Sequence, residues 1–330
     1  MTLKQASDLI RSARRPLVIC HVAPDGDAIG SALGLGLALR RLDQTPTLAC
    51  SDPVPSRFGF LQGVETITQE LSEPFDLVIA VDCSDEGRMG SLAETPGFRD
   101  VLLLNIDHHV TNLGYGDVNL VDTGAASTTE VILRLVEHLG LPLDEELATP
   151  LLTGIVTDTQ GFRTNNVTLQ VMEAAVRLMQ TGVPLPPIMW HGLDRRGAGS
   201  MRLWGAALSR LKVEKRVIWT TIPFGLRRET GSVGNGDTGL ANYLVGAIEA
   251  DVSAVLTEQE DGRVEVGMRA EPGYDVAQVA LRFGGGGHTL AAGFGLPGPL
   301  EEAEAKVVPA LKADLARQRQ AREENDTVSS

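Results

Sequence analysis

Four apolar runs, residues 17–22, 47–50, 76–81 and 101–106, are separated by helix-like or turn-rich stretches. Runs of this kind read as strands buried on both faces, and their alternation with helical segments is the pattern of a parallel α/β sheet. That pattern limits where chemistry can sit, because ligands of open α/β sheets gather outside the carboxyl ends of the strands. The polar residues at those ends therefore carry the most information. His21-Val22-Ala23-Pro24-Asp25-Gly26-Asp27 follows the first run, Asp82 ends the third, and Asp107-His108-His109 ends the fourth.

Gly26 lets the chain turn tightly, so that Asp25 and Asp27 point into one crevice while His21 projects from the strand end. One imidazole and two carboxylates this close in sequence form a metal-ligand arrangement, although Asp27 alone would also serve as a helix cap. Asp82 alone would be a turn residue, and a lone histidine a structural one. Acidic and imidazole groups at the same end of three strands make coincidence a poor account. Asp158 ends a predicted apolar helix before the turn at Gly161, where an acid opposes the helix dipole. A functional partner would explain it, and so would solvent exposure.

Helices are predicted after Asp27, from Ser127 with a capping box to Glu130 and a stop at Gly140, from Asp144 towards Val156, and over 169–179 up to Gly182. Pro184, Pro186 and Pro187 then interrupt regular structure. The boundary is placed there: a first domain over 1–185, a linker over 186–200, a smaller α/β domain with a mixed sheet over 201–316, and a polar, frayed tail over 317–330. The second domain is expected to hold a helix near 201–211, strands at 216–222, 252–258 and 263–270, and a Gly/Asn/Asp-rich loop at 231–239. Asp275 and Gln278 read as the capping start of a short helix to Phe283, which leads into Gly284-Gly285-Gly286-Gly287-His288. At 330 residues the chain can bury two cores.

The net charge is −14, and residues 1–185 carry 12 basic against 24 acidic side chains, compared with 17 and 19 in the remainder. This argues against coating long duplex nucleic acid, which needs many cations to neutralise phosphates. Residues 190–230 gather nine Arg and Lys, which form either a local anion-facing surface or a solvated linker helix and strand edge. The longest apolar stretch, 29–39, is too short for a bilayer, and no signal peptide opens the chain. Cys20, Cys50 and Cys83 are too few and scattered for a disulfide framework, so they are expected to be strand-packing thiols of a cytoplasmic protein that makes no membrane contact.

The segments HVAPDGDAIGS, VDCSD, NIDHHVTN and GIVTDTQGF resemble, in order and spacing, the four motifs of the DHH phosphoesterases. The later MRAEPGYDVAQVALRFGGGGHTLAAG resembles the DHH-associated C-terminal domain of RecJ-type exonucleases and NrnA-type oligoribonucleases. The resemblance implies a parallel-sheet catalytic domain with helices on both faces. It also implies two divalent cations, one held by His21, Asp25 and Asp82 and the other by Asp27, Asp82, His108 and Asp158, with Asp82 bridging. Mn²⁺ is expected ahead of Mg²⁺ or Co²⁺, because mixed carboxylate and imidazole ligation suits it. Asp107 would orient an imidazole, or be a strand-end turn residue, and His109 would face the substrate phosphate.

Arg269, Gly285, Gly286, Gly287 and His288 would bind substrate in a cleft between the domains, although Arg269 also reads as an exposed strand arginine. Gly267 and Ala270 depart from the family by standing where small hydroxyl residues are common, which bears on substrate contacts and not on the metals. The implied activity is hydrolysis of short oligoribonucleotides and of adenosine 3′,5′-bisphosphate. With 4% aromatic residues the chain lacks the stacking platforms of a single-strand exonuclease. A cyclic- or linear-dinucleotide phosphodiesterase is the alternative, with a RecJ-like exonuclease or a non-catalytic nucleotide sensor behind it. The partners are short RNA or nucleotides, and a homodimer is allowed.

Overall fold

The computed structural model describes residues 3–71, 74–232 and 236–328, with side chains to residue 324, and divides into two units, Met1–Arg195 and Arg196–Ser330. The first unit runs α1 (Leu3–Ser12), β1 (Pro16–Cys20), α2 (Gly26–Arg40), β2 (Thr47–Ala49), β3 (Ile67–Thr68), β4 (Leu77–Val81), β5 (Leu103–Asp107) and β6 (Val118–Val121). It continues with α3 (Thr128–His138), α4 (Glu145–Asp158), α5 (Leu169–Met179) and α6 (Leu185–Met189). The six strands are all parallel, in the order β3-β2-β1-β4-β5-β6. This order reverses between β1 and β4, where a doubly wound sheet opens a crevice at its carboxyl edge.

Every residue of β1 and β4 is buried, and successive side chains serve opposite faces. Val18, Cys20, Ile79 and Val81 join the core beneath the α-helices. Leu17, Ile19, Val78 and Ala80 pack instead with Met89, Leu92 and Phe98. Helical cover is thus present on both faces, but on the second it consists of 3-10 turns at Glu86–Glu94 and Phe98–Asp100. The proline-rich segment expected to be a linker forms α6 and the wider turn Trp190–Asp194, and Ile188 is buried in the first core. Pro186 and Pro187 are tolerated because the first helical N–H groups have no partner within the helix.

The second unit contains α7 (Ala198–Leu208), β7 (Lys212–Glu214), β8 (Val217–Ile222), α8 (Phe224–Thr230), α9 (Leu240–Val245), β9 (Val252–Glu258) and β10 (Arg263–Ala270). After these come α10 (Ala277–Arg282), β11 (Gly286–His288), β12 (Ala291–Pro297) and α11 (Leu300–Val328). Its sheet, ordered β11-β12-β10-β9-β8-β7, is mixed, with β8 and β9 parallel and the other pairs antiparallel. In β10, Val264, Val266, Met268 and Ala270 face the core with Val307 and Leu311 of α11, which leaves Arg263, Glu265 and Arg269 for the other face. The tail expected to fray is helical as far as Val328. Part of the loop expected at 231–239, residues 233–235, lies outside the described residues.

Four of the nine basic residues of 190–230 have partners within the second unit. Lys212 pairs with Glu304, Arg216 with Asp251 and Arg227 with Asp237, while Arg196 stacks on Trp204. No described helix is long and apolar enough to cross a membrane.

Helices α2 and α4 meet along Gly26, Gly30 and Gly34, which recur once per turn on one face of α2. A Cβ on Gly26 would overlap the Thr157 side chain, one on Gly30 would overlap the Pro150 carbonyl oxygen, and one on Gly34 would lie 2.6 Å from Leu151 Cδ2. Gly30 faces backbone that cannot yield, whereas a methyl on Gly36 would press the flexible Leu48 side chain at 2.7 Å. Gly30→Ala should therefore lose about 1–3 kcal/mol of stability in urea unfolding despite its better helix propensity, with Gly36→Ala losing less. Equal or reversed losses would contradict this seam.

Candidate metal centre

Asp25 caps α2, its Oδ1 accepting from Asp27 N at 2.9 Å and Ala28 N at 3.0 Å. The capping role considered for Asp27 thus falls to its neighbour. Asp27 lies in the first turn, 1% exposed, and its carboxylate accepts from Thr128 N at 2.6 Å, Thr129 N at 3.0 Å and Thr129 Oγ1 at 2.7 Å. Just past β4, Asp82 adopts φ +60°, a left-handed conformation that Asp tolerates better than most residues. Its N–H donates to Ile106 O at 3.0 Å, and its buried carboxylate accepts from Thr128 Oγ1 at 2.8 Å.

The two imidazoles are oriented in the same manner. His21 Nδ1–H donates to Val22 O at 2.7 Å, so Nε2 points inward, 3.4 Å from Asp82 Oδ2 and 3.8 Å from Asp25 Oδ1. His108 Nδ1–H donates to Ala125 O at 3.4 Å, placing Nε2 3.3 Å from Asp158 Oδ2 and 3.8 Å from Asp82 Oδ1. Donor atoms of His21, Asp25 and Asp82 consequently lie within 4.8 Å of one another, as do those of Asp27, His108 and Asp158. Asp82 stands between the sets, its Oδ2 towards His21 and its Oδ1 towards His108.

Asp107 also groups with Asp82, His108 and His109, but its oxygens are already engaged. They accept from His108 N at 2.8 Å, His109 Nδ1 at 2.7 Å and Asn112 Nδ2 at 2.6 Å. The imidazole that Asp107 orients is therefore that of His109. Asn112, Thr128 and Thr129 also touch this site, although nothing in their local sequence marks an amide after a strand end or the first residues of a capped helix as partners of a distant carboxylate. The capping box itself is altered: Ser127 Oγ accepts from Glu130 N at 3.1 Å, while Glu130 Oε2 reaches back to Ala126 N at 2.8 Å. Cys20, Cys50 and Cys83 are free and buried.

The charges of this centre do not balance within the protein. Burial and the neighbouring Asp82 push the Asp27 carboxyl up to about 7, and burial with Asp27, Asp25 and Asp82 pushes Asp158 well above the carboxylate range. Burial opposes the charged form of His21, yet the hydrogen bonds and charges of Asp25 and Asp82 prevail and raise it to about 11. Two carboxyls whose proton affinity is raised, Asp27 and Asp158, beside two inward Nε2 atoms whose Nδ1 atoms are fixed on carbonyls, fit divalent cations as replacements for protons.

In the second unit Arg269 is half-buried rather than an exposed strand arginine. Its Nη1 donates to Met268 O at 2.8 Å, its Nε is buried with no hydrogen-bond partner, and burial lowers its pKa. It borders a groove of about 770 Å³ on the outer face of the sheet, with Asp237, Thr257, Glu265 and Gly267. The glycine run is less open than its sequence implies. Gly284 N and Gly285 N donate to Leu281 O and Ala280 O, which removes Gly285 N–H from any anion cradle. Gly286, Gly287 and His288 form β11 against β12, and Gly287 has φ +138° with no room for a Cβ beside Ala291 and Ala292.

A parallel sheet of this order, with carboxylates and imidazoles that could hold metal assembled at its switch point and a mixed-sheet unit following, has the architecture of a phosphoesterase. Residues 15–155 match the N-terminal domain of the DHH family and residues 234–316 match the DHHA1 domain. The chain belongs to the DHH family. It is 33% identical to the bifunctional oligoribonuclease and PAP phosphatase NrnA of Thermus thermophilus, over 96% of this chain and 95% of that protein. Identity to the NrnA of Bacillus subtilis is 29%, over 83% of this chain and 86% of the relative. The fold superposes on an exopolyphosphatase-related protein from Bacteroides fragilis with TM-score 0.87 at 22% identity, covering 97% of this chain and 96% of that one.

The shifted groups predict how metal-free protein responds to pH. Asp27, raised from 3.8 to about 7, favours the folded state below pH 3.8 and loses that contribution as pH rises through 7. His21, raised from 6.5 to about 11, contributes below pH 6.5 and loses its contribution as pH rises through 11. Chelated protein should therefore weaken with rising pH, and saturating Mn²⁺ should raise Tm more at about pH 8 than at about pH 5.5. An equal or smaller shift at the higher pH, by scanning fluorimetry, would count against cation replacement of protons.

Proposed function

We propose that this protein is a two-metal phosphoesterase that hydrolyses oligoribonucleotides of a few residues to mononucleotides and removes the 3′-phosphate of adenosine 3′,5′-bisphosphate. The observation that carries the reading is the convergence of two donor groups on Asp82, one with His21 and Asp25, the other with Asp27, His108 and Asp158. Support comes from relatives named as bifunctional oligoribonuclease and PAP phosphatase that align along nearly the whole chain. Mn²⁺ is proposed over Mg²⁺ because two imidazole nitrogens stand among the oxygens. Three buried free thiols fit the reducing cytoplasm.

Bound in these sets, two divalent ions would acidify a shared water and polarise the phosphoryl oxygen. The protein's own contribution is orientation. Asp82 divides its two oxygens between the sets, and Asp107, itself held by Asn112, accepts from His109 Nδ1 and so orients the imidazole that is assigned to a substrate phosphate. Arg269, with an unpaired buried Nε, is assigned to a substrate phosphate, with Gly286, Gly287 and His288 as accessory contacts.

Asp82→Ala, folded by circular dichroism, should lose hydrolysis of RNA dinucleotides in Mn²⁺ by on the order of 10³-fold or more. Activity near the parent's would end the two-metal reading. Arg269→Ala should raise KM about 10–100-fold with a smaller change in kcat, and an unchanged KM would remove its assigned role. A panel of RNA dimers to longer oligomers, adenosine 3′,5′-bisphosphate, cyclic di-AMP, pyrophosphate and single-stranded DNA tests specificity. Preference for cyclic di-AMP or for long DNA would replace the substrate assignment.

A further inference from the structure

The first turn of α3 reaches two of the carboxylates in different ways. Asp27 takes both of its first backbone N–H groups, from Thr128 and Thr129, and the Thr129 hydroxyl as well. Asp82 takes the Thr128 hydroxyl. All four residues are buried. The direction of the hydroxyl chain follows from valence. Thr129 Oγ1–H donates to Asp27 Oδ1, and a carboxylate that ligates a metal ion accepts without donating. Thr129 Oγ1 then accepts at 2.8 Å from Ser127 Oγ–H, whose oxygen accepts from Glu130 N. Every hydrogen in this chain points towards Asp27.

Helix α4 closes the seat from the other side. A Cβ on Gly154 would overlap Thr129 Oγ1 and lie 2.5 Å from Asp27 Oδ1. The carboxylate of Asp27 is thus held at a helix N-terminus, in donors that favour its charged form, with no room to swing away. The Thr128 hydroxyl takes a lone pair of Asp82 Oδ1, the oxygen that faces His108.

We propose that Thr129 and Thr128 are positioning residues of the metal centre. Thr129 fixes the Asp27 oxygens for the ion shared with His108 and Asp158, and Thr128 fixes how Asp82 divides its oxygens between the two ions. This rests on the two-metal reading, and it assigns the α3 first turn a part in ion affinity rather than in helix capping alone. Partners that orient metal ligands commonly govern affinity by about 10–100-fold.

The test is a Mn²⁺ titration of the full chain without nucleotide, free ion being read by electron paramagnetic resonance, with folding checked by circular dichroism in chelator. The parent should bind two ions. Thr129→Val keeps the shape and removes the hydroxyl; it should bind one ion with the parent's affinity and the other about 10–100-fold more weakly. Thr129→Ser should restore the second ion. Thr128→Val should weaken both, because its partner bridges. A folded Thr129→Val that binds two ions as the parent does overturns the proposal. Should Thr129→Val not fold, Thr128→Val decides, and parental affinity for both ions overturns it equally. A parent that binds fewer than two ions sinks the two-metal reading itself, an outcome distinct from a silent substitution.

Discussion

Carboxylates repel one another, and the first unit is organised around holding Asp25 near Asp82 and Asp27 near Asp158 at the edge of a sheet. In a partly buried setting that repulsion is several times stronger than in water, so each group is restrained from a separate direction. Asp25 is tied to the start of α2, Asp27 to the start of α3, and Asp82 to a left-handed turn after β4. Asp158 is carried by the end of α4, whose approach to α2 depends on the glycine seam. The upward shifts of Asp27 and Asp158 are the residue of the conflict. Cations would relieve it, and the assembled cluster is compatible with metal in a way that no single motif is.

The second unit poses the complementary problem. Its half-buried guanidinium at Arg269 donates to the Met268 carbonyl oxygen, and its Nε is desolvated without compensation. Such a group costs stability when left alone and gains from an anion. The neighbouring glycines have a structural reason as well as a chemical one. Gly285 and Gly287 sit against β12 with no space for a side chain, and two of the run's N–H groups are consumed by α10. A glycine run that reads as a phosphate cradle is in part a close crossing of two chain segments.

Legibility in the sequence followed length and burial. The central strands were readable because burial on both faces leaves uninterrupted apolar runs, and β9 and β10 were readable in full from their composition and alternation. Two-residue β3, four-residue β6 and the 3-10 cover of one face are too short to leave a periodic signal. Prolines at 186 and 187 look like breakers in a sequence, which does not show that they fall in the first turn of a helix, where they cost little. The polar tail looks frayed from its composition, which hides that Leu311 and Leu315 of the same helix are buried in the second core.

By itself the sequence determined the parallel α/β sheet and the clustering of acid and imidazole at its carboxyl edge. Each depends on local chemistry: strand burial shows as apolar runs, and functional groups show as polar residues where such runs stop. Only the tertiary structure decided how those groups are held. Thr129 reaches Asp27 across 102 positions and Thr128 reaches Asp82 across 46. Asp25 rather than Asp27 takes the helix cap, and Asp107 serves His109. A hydroxyl or amide acquires such a role from the angle at which two helices and a strand end meet. That angle is set by packing at Gly26, Gly30 and Gly154, whose missing side chains reveal nothing until the surface they touch is known.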